Sequence, residues 1–209
     1  VITGLVPPFP LLRDGAIVAA GSNVAIPAGA RTIDATGKWV TPGIFAGFSR
    51  IGLSEVDAVK GTNDKGGGKS GFSAALDVAP AIDPFRSPIA VNRAAGVTRA
   101  VVAPEADSKI FGGQGAIADL GADANPVTKA RAFQYVEFGE SGAGQVGGSR
   151  SALHTAFRAY LREAQAHAGG NDAFDDDLLK IEDARALQSV LRGETRLMLH
   201  VEGANDMLR

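Results

Sequence analysis

A change of pattern at Lys38 constrains this chain most. Residues 1 to about 40 read as short strands broken at Gly15, Gly21, Pro27, Gly29 and Gly37, with Asp14-Gly15 as a hairpin turn. From Lys38 onward, apolar strand-like runs alternate with helical stretches, the first run being Trp39 to Ser49. Such alternation predicts parallel β/α units behind a small all-β segment, so the fold class is α/β, divided at residues 1–40 and 41–209.

The helices are legible from spacing. Leu153, Ala156, Phe157, Tyr160, Leu161 and Ala164 recur at helical intervals within Arg150 to Ala168, Ser149 supplies an N-cap, and Gly169-Gly170 stops the run. A second helix is predicted over Ile181 to Arg192, with Leu187, Val190 and Leu191 buried. Gly193 ends it, and Arg196 to Val201 reads as the next strand. The glycine-rich stretch Gly61 to Gly71 reads as a mobile loop, with an active-site lid as the sharper alternative.

Composition closes several classes of function. The formal charge is -2 with acids and bases mixed along the chain, so no nucleic acid or anionic membrane partner is expected. No apolar run is long enough for a membrane span, and no signal peptide is visible, which leaves periplasmic and cytoplasmic locations both open. The absence of cysteine excludes disulfides and thiolate chemistry. Lys69-Ser70 after Gly68 imitates a phosphate-binding loop, but Asn63 stands where the earlier glycine is required. The acidic run from Asp172 to Asp177 lacks the spacing of a calcium loop. His154 and His167 fall on the flank of the long helix and read as surface residues.

A series of landmarks then follows in order. Asp14 to Gly21 and Ile26 to Gly37 precede Thr41-Pro42-Gly43 and Gly52. Ile82-Asp83-Pro84, Arg93 to Thr98, Gly112-Gly113-Gln114-Gly115, Phe138-Gly139-Glu140 and Leu197 to Glu202 come after. This order and spacing resembles the amidohydrolase superfamily, and within it the imidazolonepropionase-like amidohydrolases. The resemblance implies the N-terminal part of a (β/α)8 TIM-like barrel preceded by a small β-sandwich segment. A complete barrel of this kind takes about 250 residues, whereas this chain has 209 and reaches roughly the fifth strand. Val1, without Met and within a strand-like run, makes both ends read as cut. The open strand edges then call for the complementary C-terminal half of the barrel or for a homo-oligomer.

The resemblance also shows what this chain lacks. Its relatives follow Thr-Pro-Gly with two apolar residues, an aspartate and a His-x-His pair that binds metal; here those positions hold Ala46, Phe48 and Arg50. A benzene ring donates nothing to a cation, and a guanidinium repels one. His200 matches the metal-binding histidine of the fifth strand; without the resemblance it reads as a histidine hydrogen-bonded to a nearby loop. Glu140, after Gly139, matches a metal-binding glutamate, with a solvated loop acid or a helix N-terminal charge as the alternative. Only one of Glu137 and Glu140 can point into the barrel. Arg50 reads either as a fixed catalytic cation that replaces a metal's charge and polarises a carbonyl or binds an anionic substrate group, or as the partner of an acid such as Glu140. Gly113 and Gln114 match a substrate-binding border of the active-site mouth, or a plain turn.

Two functions follow as expectations. One is metal-dependent hydrolysis of a non-peptide or small amide C–N bond in a small-molecule substrate. It would use one divalent ion at most, zinc first among candidates, held by Glu140 and His200. The other is a catalytically inactive barrel, without an ion, kept for binding or scaffolding.

Overall fold

The computed structural model describes residues 2–3, 9–107, 109–168 and 178–208, which form two compact units divided between Pro42 and Gly43. The Gly169-Gly170 helix stop and the acidic Asp172–Asp177 run lie outside the described residues.

The first unit contains two two-stranded sheets among its described residues. Strands β1 (Ile2–Thr3) and β4 (Ile33–Asp34) pair in parallel, and β2 (Phe9–Arg13) and β3 (Ala16–Gly21) form an antiparallel hairpin. The hairpin turn is the predicted Asp14-Gly15. Both residues have positive φ, 50° and 75°, as a two-residue turn matched to strand twist requires. Trp39 is 96% exposed, and the next strand begins only at Ile44. The expected Trp39–Ser49 strand is thus shortened at its start, because Pro42 has no N–H to give a ladder.

The second unit is a mixed α/β layer built on a curled five-stranded sheet ordered β5 (Ile44–Ser49), β6 (Val97–Val102), β7 (Phe111–Asp119), β8 (Val127–Glu137) and β9 (Arg196–His200). The sheet is not parallel throughout, as the β/α pattern predicted. β5 pairs with β6 and β8 with β9 in parallel, whereas β7 runs antiparallel to both β6 and β8. Connection length explains the difference. Parallel neighbours need a crossover of a dozen or more residues, and residues 50–96 and 138–195 supply them with helices. Residues 103–110 and 120–126 are too short for a crossover, so the chain turns back on itself.

Side chains alternate across this sheet. Ala100, Val102, Ala116 and Ala118 bury with Leu53, Ile82 and Ile89, the last from α1 (Ser87–Ala94). Further along the same outer side, Ile110, Phe111, Val136 and Phe138 pack on α3 (Arg150–Ala168) through Leu153, Tyr160 and Ala164. The Phe111 ring meets Tyr160 edge-on at 5.7 Å. Each such fully buried side chain contributes about 1.5–3 kcal/mol. The opposite, inner face holds Val101, Ala103, Phe133 and Tyr135, with Met198 against them.

The expected N-cap is present, since Ser149 Oγ accepts from Ala152 N at 3.1 Å. The predicted Ile181–Arg192 helix divides into α4 (Ile181–Ala186) and α5 (Gln188–Leu191), with Leu187 at the junction. The glycine-rich stretch, expected to be mobile, is instead tied down along its length. Arg86 bonds Thr62 O and Asp64, Asp107 accepts from Gly68 N at 2.9 Å, and Lys180 reaches Ser70 O at 2.9 Å. Beyond it, the fully buried Asp183 accepts from Ser73 N and Ala75 N at 2.9 and 2.8 Å. These partners lie far away in sequence, where composition does not reveal them.

Candidate functional site

The parallel register of β8 and β9 sets Glu137 beside His200 at the C-terminal ends of both strands. Phe138 N donates to His200 O at 2.8 Å and holds that register. Period-two alternation places Phe133, Tyr135 and Glu137 on the inner face of β8, and Met198 and His200 on the inner face of β9; Glu202 lies just beyond.

Glu137 is 7% exposed and fully engaged. Its Oε1 pairs with His200 Nδ1, and its Oε2 accepts from the Tyr135 hydroxyl at 3.0 Å. Burial, and then the Glu137 charge, push the Tyr135 phenol well above its ordinary range, so it stays protonated and donates. With Nδ1 committed, His200 presents Nε2 as its remaining ring nitrogen.

Glu202 is held by another element. Its Oε2 accepts from Glu140 N at 2.7 Å, at the first residue of α2 (Glu140–Gln145), and that bond holds its carboxyl below the usual carboxylate range. Gly139 must lack a side chain, because a Cβ there would overlap Glu202 Oε2. Glu137, His200 and Glu202 each offer a ligand atom, and these atoms all lie within 4.8 Å of one another.

The opposite wall is apolar and cationic. The Phe48 ring stacks on His200, centroids 6.5 Å apart at 16°, and lies 6.0 Å from Tyr135. The Arg50 guanidinium carbon sits 5.4 Å from the Phe48 ring centroid, and the cation lies by the Tyr135 hydroxyl.

Of the residues singled out from sequence, the structure brings together His200, Phe48 and Arg50. Glu140 stands apart from them: its side chain is 74% exposed and pairs with Arg150 at 3.3 Å. It opens a helix instead of ending the strand, so Glu137 takes the inward position. Among the described residues, Arg50 forms no ion pair with Glu140. Gly113 and Gln114 lie inside β7, where Gln114 N donates to Leu76 O at 2.6 Å and Val78 N to Gln114 O at 3.2 Å. With φ of 122° and Leu76 packed over its Cα, Gly113 serves a close backbone approach. The ring of His154 meets Phe138 edge-on at 5.0 Å, and His167 is half-buried in the last turn of α3. Sequence reasoning passed over Glu202, although its place two residues after an inward strand-end histidine was a usable signal.

No protein-family model and no curated protein matches this chain. Among solved structures, an amidohydrolase from Thermotoga maritima MSB8 superposes with a TM-score of 0.76 over 95% of this chain, at 23% identity. The match covers 55% of that protein, so the chain spans about half its length. The described architecture is therefore an amidohydrolase-like fold, with a curled sheet forming part of a barrel.

Proposed function

We propose that this chain forms part of a hydrolase of the amidohydrolase type, imidazolonepropionase-like in kind, that cleaves an amide-like C–N bond in a small molecule. One divalent cation, zinc first, would be held by Glu137, His200 and Glu202. The observation that carries this reading is the convergence of these three donors at the C-terminal ends of adjacent parallel strands, where barrel enzymes place their chemistry.

The donor set fits such an ion. Catalytic zinc takes three protein ligands, and each carboxylate oxygen here keeps a lone pair after its present hydrogen bond. His200 replaces nothing expected, whereas Glu137 and Glu202 take the place expected for Glu140. A second ion does not fit, because Phe48 offers no donor and Arg50 brings a positive charge. Bound in this way, the cation supplies Lewis acidity toward a carbonyl oxygen and lowers the pKa of a water. The chain's own residues do the rest. Glu137 pairs with the His200 ring at Nδ1, a contact that an ion held between the two would replace. Tyr135 holds Glu137, and the Phe48 ring stacks on His200. Strands β5 and β9 are the sheet's two edges, and further strands from a longer chain or a second copy would pair with them.

Metal content of the natively purified full-length protein tests the reading, beside His200→Ala. About one equivalent of zinc, manganese or iron, lost in the variant, is expected. Folded protein that is metal-free and takes up none of these ions would sink the hydrolase and leave the inactive binding barrel.

A further inference from the structure

A second polar site lies beside the first. A cavity of 540 Å³ opens at the C-terminal end of β5, lined among others by Phe48, Ser49, Arg50, Ser54, Asp57 and Lys65. That is the size of a small-molecule site. Its hydrogen-bonding groups divide unevenly. The acceptors are engaged: Asp57 pairs with Lys65 at 3.2 Å, and Glu55 takes Ser87 N at 2.9 Å together with the Ser87 hydroxyl. Two of the donors are engaged as well, since Lys65 also reaches Glu105 at 3.6 Å, and Ser49 Oγ donates to Val101 O at 2.8 Å.

Two donors remain. Arg50 Nε is buried with no hydrogen-bond partner, and Ser54 Oγ, near the Asp57 carboxylate, is buried without a hydrogen bond of ordinary geometry. Among the described residues, no carboxylate lies within ion-pair distance of Arg50. A buried donor left unmade costs free energy, and more so on a charged group. The guanidinium sits over the Phe48 ring, its carbon 5.4 Å from the ring centroid. A guanidinium with no carboxylate within ion-pair distance among the described residues, beside the Ser54 hydroxyl and in one cavity whose acids are already occupied, makes a receptor for an anion.

We infer that this cavity is an anion-binding subsite in which Arg50 and Ser54 take a small oxyanion, carboxylate or phosphate. Arg50 presents the planar fork that such groups fit bidentately. Phe48 joins the two sites, its ring meeting both Arg50 and His200. In the hydrolase proposed above, the anion is the charged end of the substrate, held to one side of the bond that is cut. That assignment rests on the hydrolase reading; the anion binding itself does not.

Titration calorimetry on the full-length protein tests it, using acetate, inorganic phosphate and uncharged acetamide as probes. Acetate or phosphate is expected to bind and acetamide not, the tighter of the two anions naming the source. Arg50→Gln should weaken that anion by at least about tenfold, with Arg50→Lys in between. Binding should persist in His200→Ala, which separates the subsite from an anion bound to a cation. Where Arg50→Gln fails to fold, Ser54→Ala takes its place, with a loss of about threefold or more expected. Acetamide binding as well as the anions, equal affinity in the Arg50 or Ser54 variants, or loss of binding in His200→Ala would each overturn the inference. Metal-free protein that still binds the anion would sink the hydrolase and leave the subsite.

Discussion

The ends of β5 and of the β8–β9 pair face one another and have opposite chemistry. At β8–β9 every polar atom of Glu137 is spoken for, and the cluster with His200 and Glu202 is rich in donors for a cation. At β5 the matching positions carry a ring and a guanidinium, which exclude a cation and attract an anion. The register of β8 and β9 places His200 beside Glu137, and the curl of the sheet brings Phe48, from its other edge, against His200, so one scaffold supports both. The absence of cation donors at the end of β5 thus leaves the donor cluster at the ends of β8 and β9 in place.

Substitutions test this contrast from either side. The largest effect is expected from Glu137→Gln, which removes a ligand and the support of His200 together. Zinc affinity measured by competition with a chelator should fall by more than about a hundredfold, beyond what loss of a supporting group alone causes. An unchanged affinity would remove Glu137 from the donor set.

Gly139→Ala attacks the same cluster without touching a donor. Its Cβ would displace Glu202, and a fall in zinc affinity of about 10- to 100-fold is expected. A variant that is stable and binds as tightly would show that Glu202 is dispensable.

Phe48→His works from the opposite wall, by adding an imidazole next to His200. Zinc should bind about tenfold tighter at unchanged stoichiometry, since Arg50 still repels a second ion. Uptake of two ions would break the contrast between the strands.

Tyr135→Phe removes one neutral donor to a buried carboxylate, and a loss of about 1 kcal/mol of stability in denaturant unfolding is expected. The smallest effect belongs to Glu140→Gln. Metal content should not change, because the Glu140 carboxylate serves Arg150 and only its backbone N–H serves Glu202. Loss of metal in that variant would return Glu140 to the site.

The long helix, the Asp14-Gly15 turn and the strand carrying His200 were readable because each depends on neighbours within a few residues. The order of landmarks carried the amidohydrolase-like fold for the same reason. Glu137 was harder to read. Two acids three apart at a strand end compete for one inward position, and the choice depends on whether α2 starts at Glu140. Gly113 and Gln114 resembled a substrate border, but their contacts are with Leu76 and Val78, supplied by a loop from far along the chain. The pinned glycine-rich stretch was missed likewise, because Asp107 and Lys180 reach it only in the folded state.

The sequence by itself determined the alternation of strands and helices, the long helix and its N-cap, and the absence of metal donors at Phe48 and Arg50. These follow from local periodicity and from side-chain chemistry. Only the tertiary structure decided that β7 runs antiparallel, that Glu137 and Glu202 join His200, and that Arg50 and Ser54 line one cavity. Those outcomes depend on connection length, register and burial, which are set when distant segments meet.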